Sequence, residues 1–306
     1  MILVWSLGSD GPTRRLREQL HDLGGDVVFV DQRRVLEHNL EVEVGDTVTG
    51  YLDADGHHVD LTEVVGVFPR PYDFRRIGRI ASAEPYEAEW NHAAAFDETM
   101  WLYCELTDAL VVNPPDVMAG NGSKPRQAAD IERHGLRVPA TLLTTSAEAA
   151  REFADSHGRV VYKSTSSVRS VVSTLDDLGR LDGALSSCPT QFQEFVPGTD
   201  YRVHVVGDRF YCSSIESLAD DYRYGAIQGM PPTLLPASVP DEIAENCRAL
   251  AADLGLVLAG IDLRRTPDGT WFCFEVNPSP AFTFYDRHGQ GIARAVARLL
   301  LEGRPT

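Results

Sequence analysis

The stretch Gly260-Ile261-Asp262-Leu263-Arg264-Arg265-Thr266-Pro267-Asp268-Gly269-Thr270-Trp271-Phe272-Cys273-Phe274-Glu275-Val276-Asn277-Pro278 sets two β-rich runs on either side of a Pro-Asp-Gly turn. That composition predicts an antiparallel hairpin. If Thr266 pairs with Trp271, Asp262 falls opposite Glu275. Glu275 and Asn277 are two apart on one strand and share a face, with Phe274 and Val276 on the other. Three hard oxygen donors then converge, a set suited to Mg²⁺ bound together with substrate phosphates rather than to a soft metal. A surface hairpin of ordinary polar residues gives the same alternation, and spacing alone does not separate the two.

Upstream of the hairpin the segments alternate between helix and strand. Asn113-Pro114-Pro115 reads as an extended linker. Ser123 is placed to cap a helix with Pro125 in its first turn and Gly135 at its end. Thr145 with Glu148 forms a capping box for a helix ending at Gly158. Val160-Val161-Tyr162-Lys163 is a strand, Val171-Val172 begins another, and Phe192–Val196 and Tyr201–Val206 flank Pro197-Gly198. Helical spacing recurs at Ile243, Cys247, Leu250 and Leu254, and again at Ile292, Val296 and Leu299/Leu300.

Two lysines, Lys124 at a helix start and Lys163 at a strand end, stand where phosphates of a nucleotide need cations. A single surface Lys is usually only a solvated charge, but Lys163 follows an apolar run. The loop Ser164–Ser170 offers hydroxyls, backbone N–H groups and the Arg169 guanidinium, either as a cover for phosphates or as a plain turn. Gln193-Glu194-Phe195-Val196 alternates polar and apolar groups, as an adenine edge requires. Asp200 follows closely enough to accept from ribose hydroxyls.

The first third predicts a small α/β unit. Ile2–Leu7 is a buried strand, a polar helix runs to about Leu23, Gly24-Gly25 stops it, and Val27–Val30 is a second strand. Strand, turn, helix, strand opens a doubly wound sheet. The turn Gly8–Pro12 lacks the dinucleotide GxGxxG pattern. Tyr51–Val59 is a hairpin about Asp55-Gly56, and Val64–Phe68 is a further strand. Pro69–Arg79 holds four arginines, either a dock for a carboxylate-bearing substrate or a solvated basic loop.

With 28 Lys+Arg against 45 Asp+Glu, the 306-residue chain has a formal charge of −17. Such a balance opposes nonspecific nucleic-acid binding and attachment to anionic membranes. No apolar stretch approaches the roughly 18 residues of a membrane span. The five cysteines are scattered without a CxxC, so buried thiols in a reducing cytoplasm are expected rather than zinc or disulfides. Self-association is left open.

Four segments in order, SKPRQAADIERHGLRVPATLLTT, VVYKSTSSVRSVVS, QEFVPGTDYRVHVVGD and GIDLRRTPDGTWFCFEVNPSPAF, resemble the ATP-grasp superfamily, across residues 113 to 306. Within it the chain is similar to RimK-type ligases. VVGVFPRPYDF followed by VVNPPDVMA also resembles the branch that makes graspetides, macrocyclic ω-ester and ω-amide peptides. The resemblance implies an N-terminal doubly wound α/β domain (1–112) and an ATP-grasp fold (113–306) that clamps nucleotide between two α+β lobes. Residues 113–196 include the lid lobe, and 197–306 form the metal-binding lobe. It further implies that Lys124, Lys163 and Arg169 contact nucleotide, that Gln193, Glu194, Phe195 and Val196 form the adenine hinge, and that Asp200 holds ribose. Asp262, Glu275 and Asn277 would ligate Mg²⁺, two ions with Mn²⁺ as a substitute, and Arg202 with Lys163 would steady the transferred phosphate. The family's loop after the second lysine is commonly glycine-rich; here it is rich in Ser and Thr. The implied activity is ADP-forming coupling of a carboxylate to an amine on a small molecule, amino acid or peptide. Alternatives are a graspetide-type peptide cyclase, an ATP-grasp kinase, or a nucleotide-binding module without catalysis.

Overall fold

A computed structural model of the chain describes residues 1–85, 87–119, 124–164, 173–174, 189–217, 232–286 and 289–303. The chain opens with β1 (Ile2–Ser6), α1 (Gly11–Asp22) and β2 (Val27–Asp31). Asp10 caps α1 by accepting from Thr13 N at 2.9 Å, satisfying one of the helix's unpaired first-turn donors. A separate antiparallel sheet follows, built from β3 (Asn39–Val44), β4 (Val48–Ala54) and β5 (His57–Asp60) in the order β3-β4-β5. Asp55 and Gly56, both at positive φ, make its β4–β5 turn, as the Asp-Gly signal requires. The strand expected at Val64–Phe68 is β6 (Gly66–Arg70), shifted because Val64 still closes a short 3-10 turn over Leu61–Glu63.

After α2 (Ala88–Leu106), β7 (Leu110–Val111) completes a parallel sheet in the order β2-β1-β6-β7. Alternation along β1 divides its side chains between two cores. Leu3 and Trp5 pack with Phe96, Met100 and Tyr103 of α2 and with Leu52 of the hairpin sheet. Ile2 and Val4 pack with Leu16 and Leu20 of α1 and with Ile292, Val296 and Leu300 near the C-terminus. That last helix comes so close that position 66 admits only glycine: a Cβ there would lie 2.7 Å from the Leu300 carbonyl oxygen and 2.9 Å from Ile2 Cδ1.

Asn113-Pro114-Pro115, expected as an extended linker, is a junction with Asn113 buried and the two prolines half-buried. The Asn113 side chain is 2% exposed, and Pro115 opens the short α3 (Pro115–Ala119). The proposed cap Ser123 lies outside the described residues; α4 (Lys124–Arg133) follows it. β8 (Thr141–Thr144) leads to α5 (Ala147–His157). That helix is capped by Ser146, whose hydroxyl accepts from Ala149 N, rather than by Thr145. Here Thr144 Oγ1 accepts from Ser146 N and fixes the entry turn one residue later than the capping-box pattern implies. β9 (Val160–Ser164), β10 (Ser173–Thr174) and β11 (Thr190–Glu194) join β8 in an antiparallel sheet ordered β10-β9-β11-β8. Val171 and Val172 lie outside the described residues.

The largest sheet is antiparallel: β14 (Thr233–Pro236), β13 (Arg209–Glu216), β12 (Thr199–Val206), β15 (Leu258–Arg265) and β16 (Trp271–Asn277), in that order. Val203, Val205, Ile261 and Leu263 face Cys247 and Leu250 of α6 (Asp241–Asp253) and Ile131 of α4. Alternation therefore turns Arg202, His204 and Asp262 to the opposite face. The chain ends with α7 (Thr283–Asp286) and α8 (Ile292–Glu302). Four cysteines are buried free thiols; Cys188 lies outside the described residues. Among the described residues no helix is long and apolar enough to cross a membrane.

Candidate active site

The β15–β16 hairpin forms, and Asp262 stands opposite Glu275. The register that brings them together is not a simple ladder. Arg265 rather than Thr266 pairs with Trp271, and Leu263 pairs with Cys273, one residue out of step with Asp262 and Glu275. A β-bulge between Asp262 and Leu263 absorbs the difference, leaving Phe274 without a cross-strand partner. Bulges commonly re-aim a side chain in this way. Val276 is fully buried as expected. Phe274 is not its companion; it lines a cavity with Lys163 and Gln193.

Asp262 is 2.5 Å from Arg202, with Asp262 Oδ1 facing an Arg202 guanidinium nitrogen. The two residues are cross-strand partners on β12 and β15. Arg202 is 5% exposed, and its guanidinium lies 5.8 Å from the Tyr285 ring centre. His204, two residues along the same face, is 1% exposed, and its ring lies tilted against that of Tyr285 with centroids 5.0 Å apart. Burial pushes its pKa well below the ordinary histidine value, and the charge of Arg202 adds to the effect. Asn277 Oδ1 accepts from Ser279 N at 2.8 Å. Two carboxylates and one carboxamide oxygen fit a hard, oxygen-seeking ion that also takes phosphate oxygens and water. Among the described residues no group of three or more His, Cys, Asp and Glu side chains is gathered for a metal.

A cavity of about 320 Å³ lies between the β10-β9-β11-β8 sheet and the five-stranded sheet, lined by Lys163, Gln191, Gln193, Thr141, Phe274 and residues of α4. Lys163 on β9 is paired in register with Gln191 on β11, which brings the cation to the cavity wall. The Gln193 side chain donates to Thr141 Oγ1 at 3.0 Å. Glu194 turns away, accepting from Ala140 N at 2.9 Å. Phe195 stacks beneath Arg159 at 3.7 Å, and Val196 is buried. Lys124 opens α4, its side chain outside the described residues, as is Arg169.

Arg264 carries no expected role, yet it ties Asp200 of β12 to the segment that follows β11. Its guanidinium forms a bidentate pair with Asp200, at 2.7 and 3.0 Å, and donates to the Val196 carbonyl at 2.8 Å. Asp200 and Arg264 are cross-strand partners, two positions along from Arg202 and Asp262. The signal was present in sequence: Arg264 follows Asp262 by two and must share its face.

Two further features change how the charge pattern is understood. Lys124 and Lys163 are the only lysines in the sequence. Residues 35–69 and 80–123 hold 16 Asp and Glu and no Lys or Arg; they build the hairpin sheet, β6 and α2. The acidic excess therefore sits on the N-terminal part, and the rest of the chain is nearly neutral. The basic run 69–79 is largely consumed internally: Arg70 pairs with Asp10, Arg75 with Asp73 and Arg79 with Glu89.

No protein-family model matches the chain, and no curated protein matches it. Solved structures do. A Chryseobacterium gregarium RiPP-associated ATP-grasp ligase, in complex with ADP and a leader and core peptide, is 24% identical, with a TM-score of 0.82 over 99% of this chain and 97% of that one. The ATP-grasp ligase PsnB, complexed with minimal precursor, Mg and ADP, is 24% identical, with a TM-score of 0.77 over 98% and 96%. The D-cycloserine synthetase DcsG is 17% identical, with a TM-score of 0.58 over 99% of both chains. The α/β architecture of this chain is that of the ATP-grasp ligases.

Proposed function

We propose that the chain is an ATP-dependent, ADP-forming ligase that activates a carboxylate of a peptide substrate as an acyl phosphate. The observation that carries this reading is the row Arg202–Asp262–Glu275 across three adjacent strands, a buried cation beside two carboxylates. Peptide as substrate is supported by the neighbours: ligases solved with precursor or leader and core peptides align at TM-scores of 0.82 and 0.77, and the small-molecule synthetase at 0.58. We assign residues 1–112 to the N-terminal domain, 113–196 to the lid-bearing lobe and 197–306 to the metal-binding lobe.

A carboxylate is a poor acyl donor because its leaving group would be oxide. In the first step a carboxylate oxygen attacks the γ-phosphorus of ATP, the bond to the bridging oxygen breaks, and ADP leaves. In the second, an amine or hydroxyl attacks the acyl carbon, phosphate leaves and the nucleophile's proton is lost. Mg²⁺ held by Asp262, Glu275 and Asn277 would neutralise phosphate charge. Lys163 and Lys124 would hold the nucleotide phosphates, and Arg202 the phosphate in transfer. Such preorganised charge is most of what a protein contributes to phosphoryl transfer. The product is an amide or ester, of the side-chain type found in graspetides where both partners lie in one peptide.

The test is incubation with ATP, Mg²⁺ and candidate precursor peptides plus hydroxylamine. Hydroxamate together with free phosphate supports the ligase. ADP without free phosphate identifies a kinase. No ADP with any peptide, and hydroxamate only with small carboxylates, moves the substrate to the small-molecule class.

A further inference from the structure

Arg70 is the last residue of β6, an inner strand of the N-terminal sheet, yet its bonds reach the loop that follows the hairpin of the other lobe. One guanidinium nitrogen donates to Ser279 Oγ at 2.6 Å and to the Ser279 carbonyl at 3.0 Å. Its Nε lies 3.1 Å from Asp10 Oδ2. Asp10 is itself fixed, because it caps α1 through Thr13 N and accepts from the Tyr72 hydroxyl at 3.0 Å. The Arg70 side chain is 15% exposed and that of Asp10 is 3% exposed, so neither has room to swing into solvent.

The far end of this chain of contacts is Asn277. The Ser279 N–H donates to Asn277 Oδ1. A backbone N–H can only donate, so the carboxamide must turn its oxygen, not its NH₂, toward Ser279. That fixes the amide flip and leaves the second lone pair of Oδ1 free to face an ion beside Glu275. The Ser279 backbone is thus the element that orients Asn277, and Arg70 holds that backbone from the other domain.

We propose that Arg70 is a positioning residue of the metal centre: through Ser279 it fixes the Asn277 carboxamide with its oxygen toward the ion, so the N-terminal sheet sets the metal affinity of the C-terminal lobe. The inference rests on Asp262, Glu275 and Asn277 being metal ligands. Partners that orient a ligand typically change metal affinity by roughly 10–100-fold when removed.

The experiment reads metal binding without turnover. Mn²⁺ binding to the full-length protein with ADP is followed by electron paramagnetic resonance. Arg70→Met weakens Mn²⁺ by roughly tenfold or more and leaves metal-free ADP binding unchanged. Arg70→Lys, which retains the charge facing Asp10 but not the fork, lies between it and the native protein. Added guanidinium restores Mn²⁺ affinity to Arg70→Ala. Glu275→Gln is the control for the underlying reading. If it leaves Mn²⁺ affinity intact, the ligand assignment has failed and the inference falls with it. If Glu275→Gln abolishes binding while folded Arg70→Met and Arg70→Lys bind Mn²⁺ normally, the ligand assignment stands and Arg70 is not a positioning residue. A variant that alters only the KM of the peptide would make Arg70 a substrate contact, and would equally overturn the proposal.

Discussion

Gly260 and Arg202 share one space on adjacent strands. A Cβ added to Gly260 would overlap the Arg202 guanidinium, whose central carbon would be 2.7 Å away, and would meet Pro280 Cβ at 2.7 Å. The absence of a side chain on β15 is what lets Arg202 lie across it to reach Asp262. Gly260→Ala should displace the guanidinium while preserving the sheet. Loss of one preorganised charge-stabilising group typically costs about 10²–10³ in rate. ADP release should fall on that scale with a normal circular dichroism spectrum. Gly260→Ala/Arg202→Ala should be scarcely slower than Arg202→Ala, because both remove one interaction.

Arg264 and Asp200 form a bidentate pair with side chains only 16% and 20% exposed. Removing one partner strands the other charge, a change that costs about 3–5 kcal/mol for buried pairs and less at this exposure. Arg264→Leu should therefore lower the urea midpoint more than Arg264→Leu/Asp200→Leu does, and should also raise the KM for ATP by loosening the Val196 carbonyl. Equal midpoints for the single and double variants would show that the pair is solvated and does not brace the segment around Val196.

How much of this was legible in sequence depends on the range of the interactions. The hairpin 260–278 was readable because the turn and the alternation are local. The pairing of Asp262 with Glu275 was nonetheless reached through a register one residue out at the turn, compensated by the bulge at Asp262/Leu263. α2 left no readable stripe because exposed Leu102 and Leu106 blur its buried positions. Asn113 and Gln127 were invisible as structural residues. Their partners Leu258, Pro278 and Val276 lie some 145 to 165 residues away, and no local pattern encodes such a contact.

Because Lys124 and Lys163 are the only lysines, amine chemistry is confined to them and the N-terminus. Mild acetylation of native protein should add acetyl groups at no other lysine, detectable by peptide mass spectrometry. ATP with Mg²⁺ should slow modification of both at least tenfold if both bind phosphates. Protection of one alone would remove the other from the nucleotide site.

Asp97 on α2 has its pKa raised to about 7, chiefly by burial and then by the charge of Asp73. The folded state thus holds a proton that the unfolded chain releases near its ordinary value of 3.8. The resulting stabilisation is fully present below that value and is lost as pH rises through about 7. At pH 8 the native state must carry the buried charge, so Asp97→Asn should be more stable than wild type by about 2–4 kcal/mol. The advantage should disappear below pH 4 in urea titrations. A gain independent of pH would mean that packing, not ionisation, is responsible.

Asn113, just after β7, is bonded to both ends of the β15–β16 hairpin. Its Nδ2 donates to the Leu258 and Pro278 carbonyls at 2.6 and 2.5 Å, and its Oδ1 accepts from Val257 N and Leu258 N at 2.9 and 3.0 Å. One side chain therefore fixes the start of β15, which carries Asp262, to the end of β16, which carries Glu275 and Asn277. Asn113→Ala would leave several of these backbone groups unpaired in a buried site, at about 1–3 kcal/mol each before relaxation or entering water reduces the total. Net destabilisation should be about 3–5 kcal/mol. Asn113→Asp should be at least as harmful, because a carboxylate oxygen would replace the donor facing two carbonyls. Leu, similar in volume, should not rescue it. If Asn113 merely fills space, Asn113→Leu will match wild type in denaturant midpoint. If it staples the hairpin, all three variants will lose stability, and those that remain folded will also bind Mn²⁺ more weakly, since the spacing of the proposed ligands Asp262, Glu275 and Asn277 depends on the same four bonds.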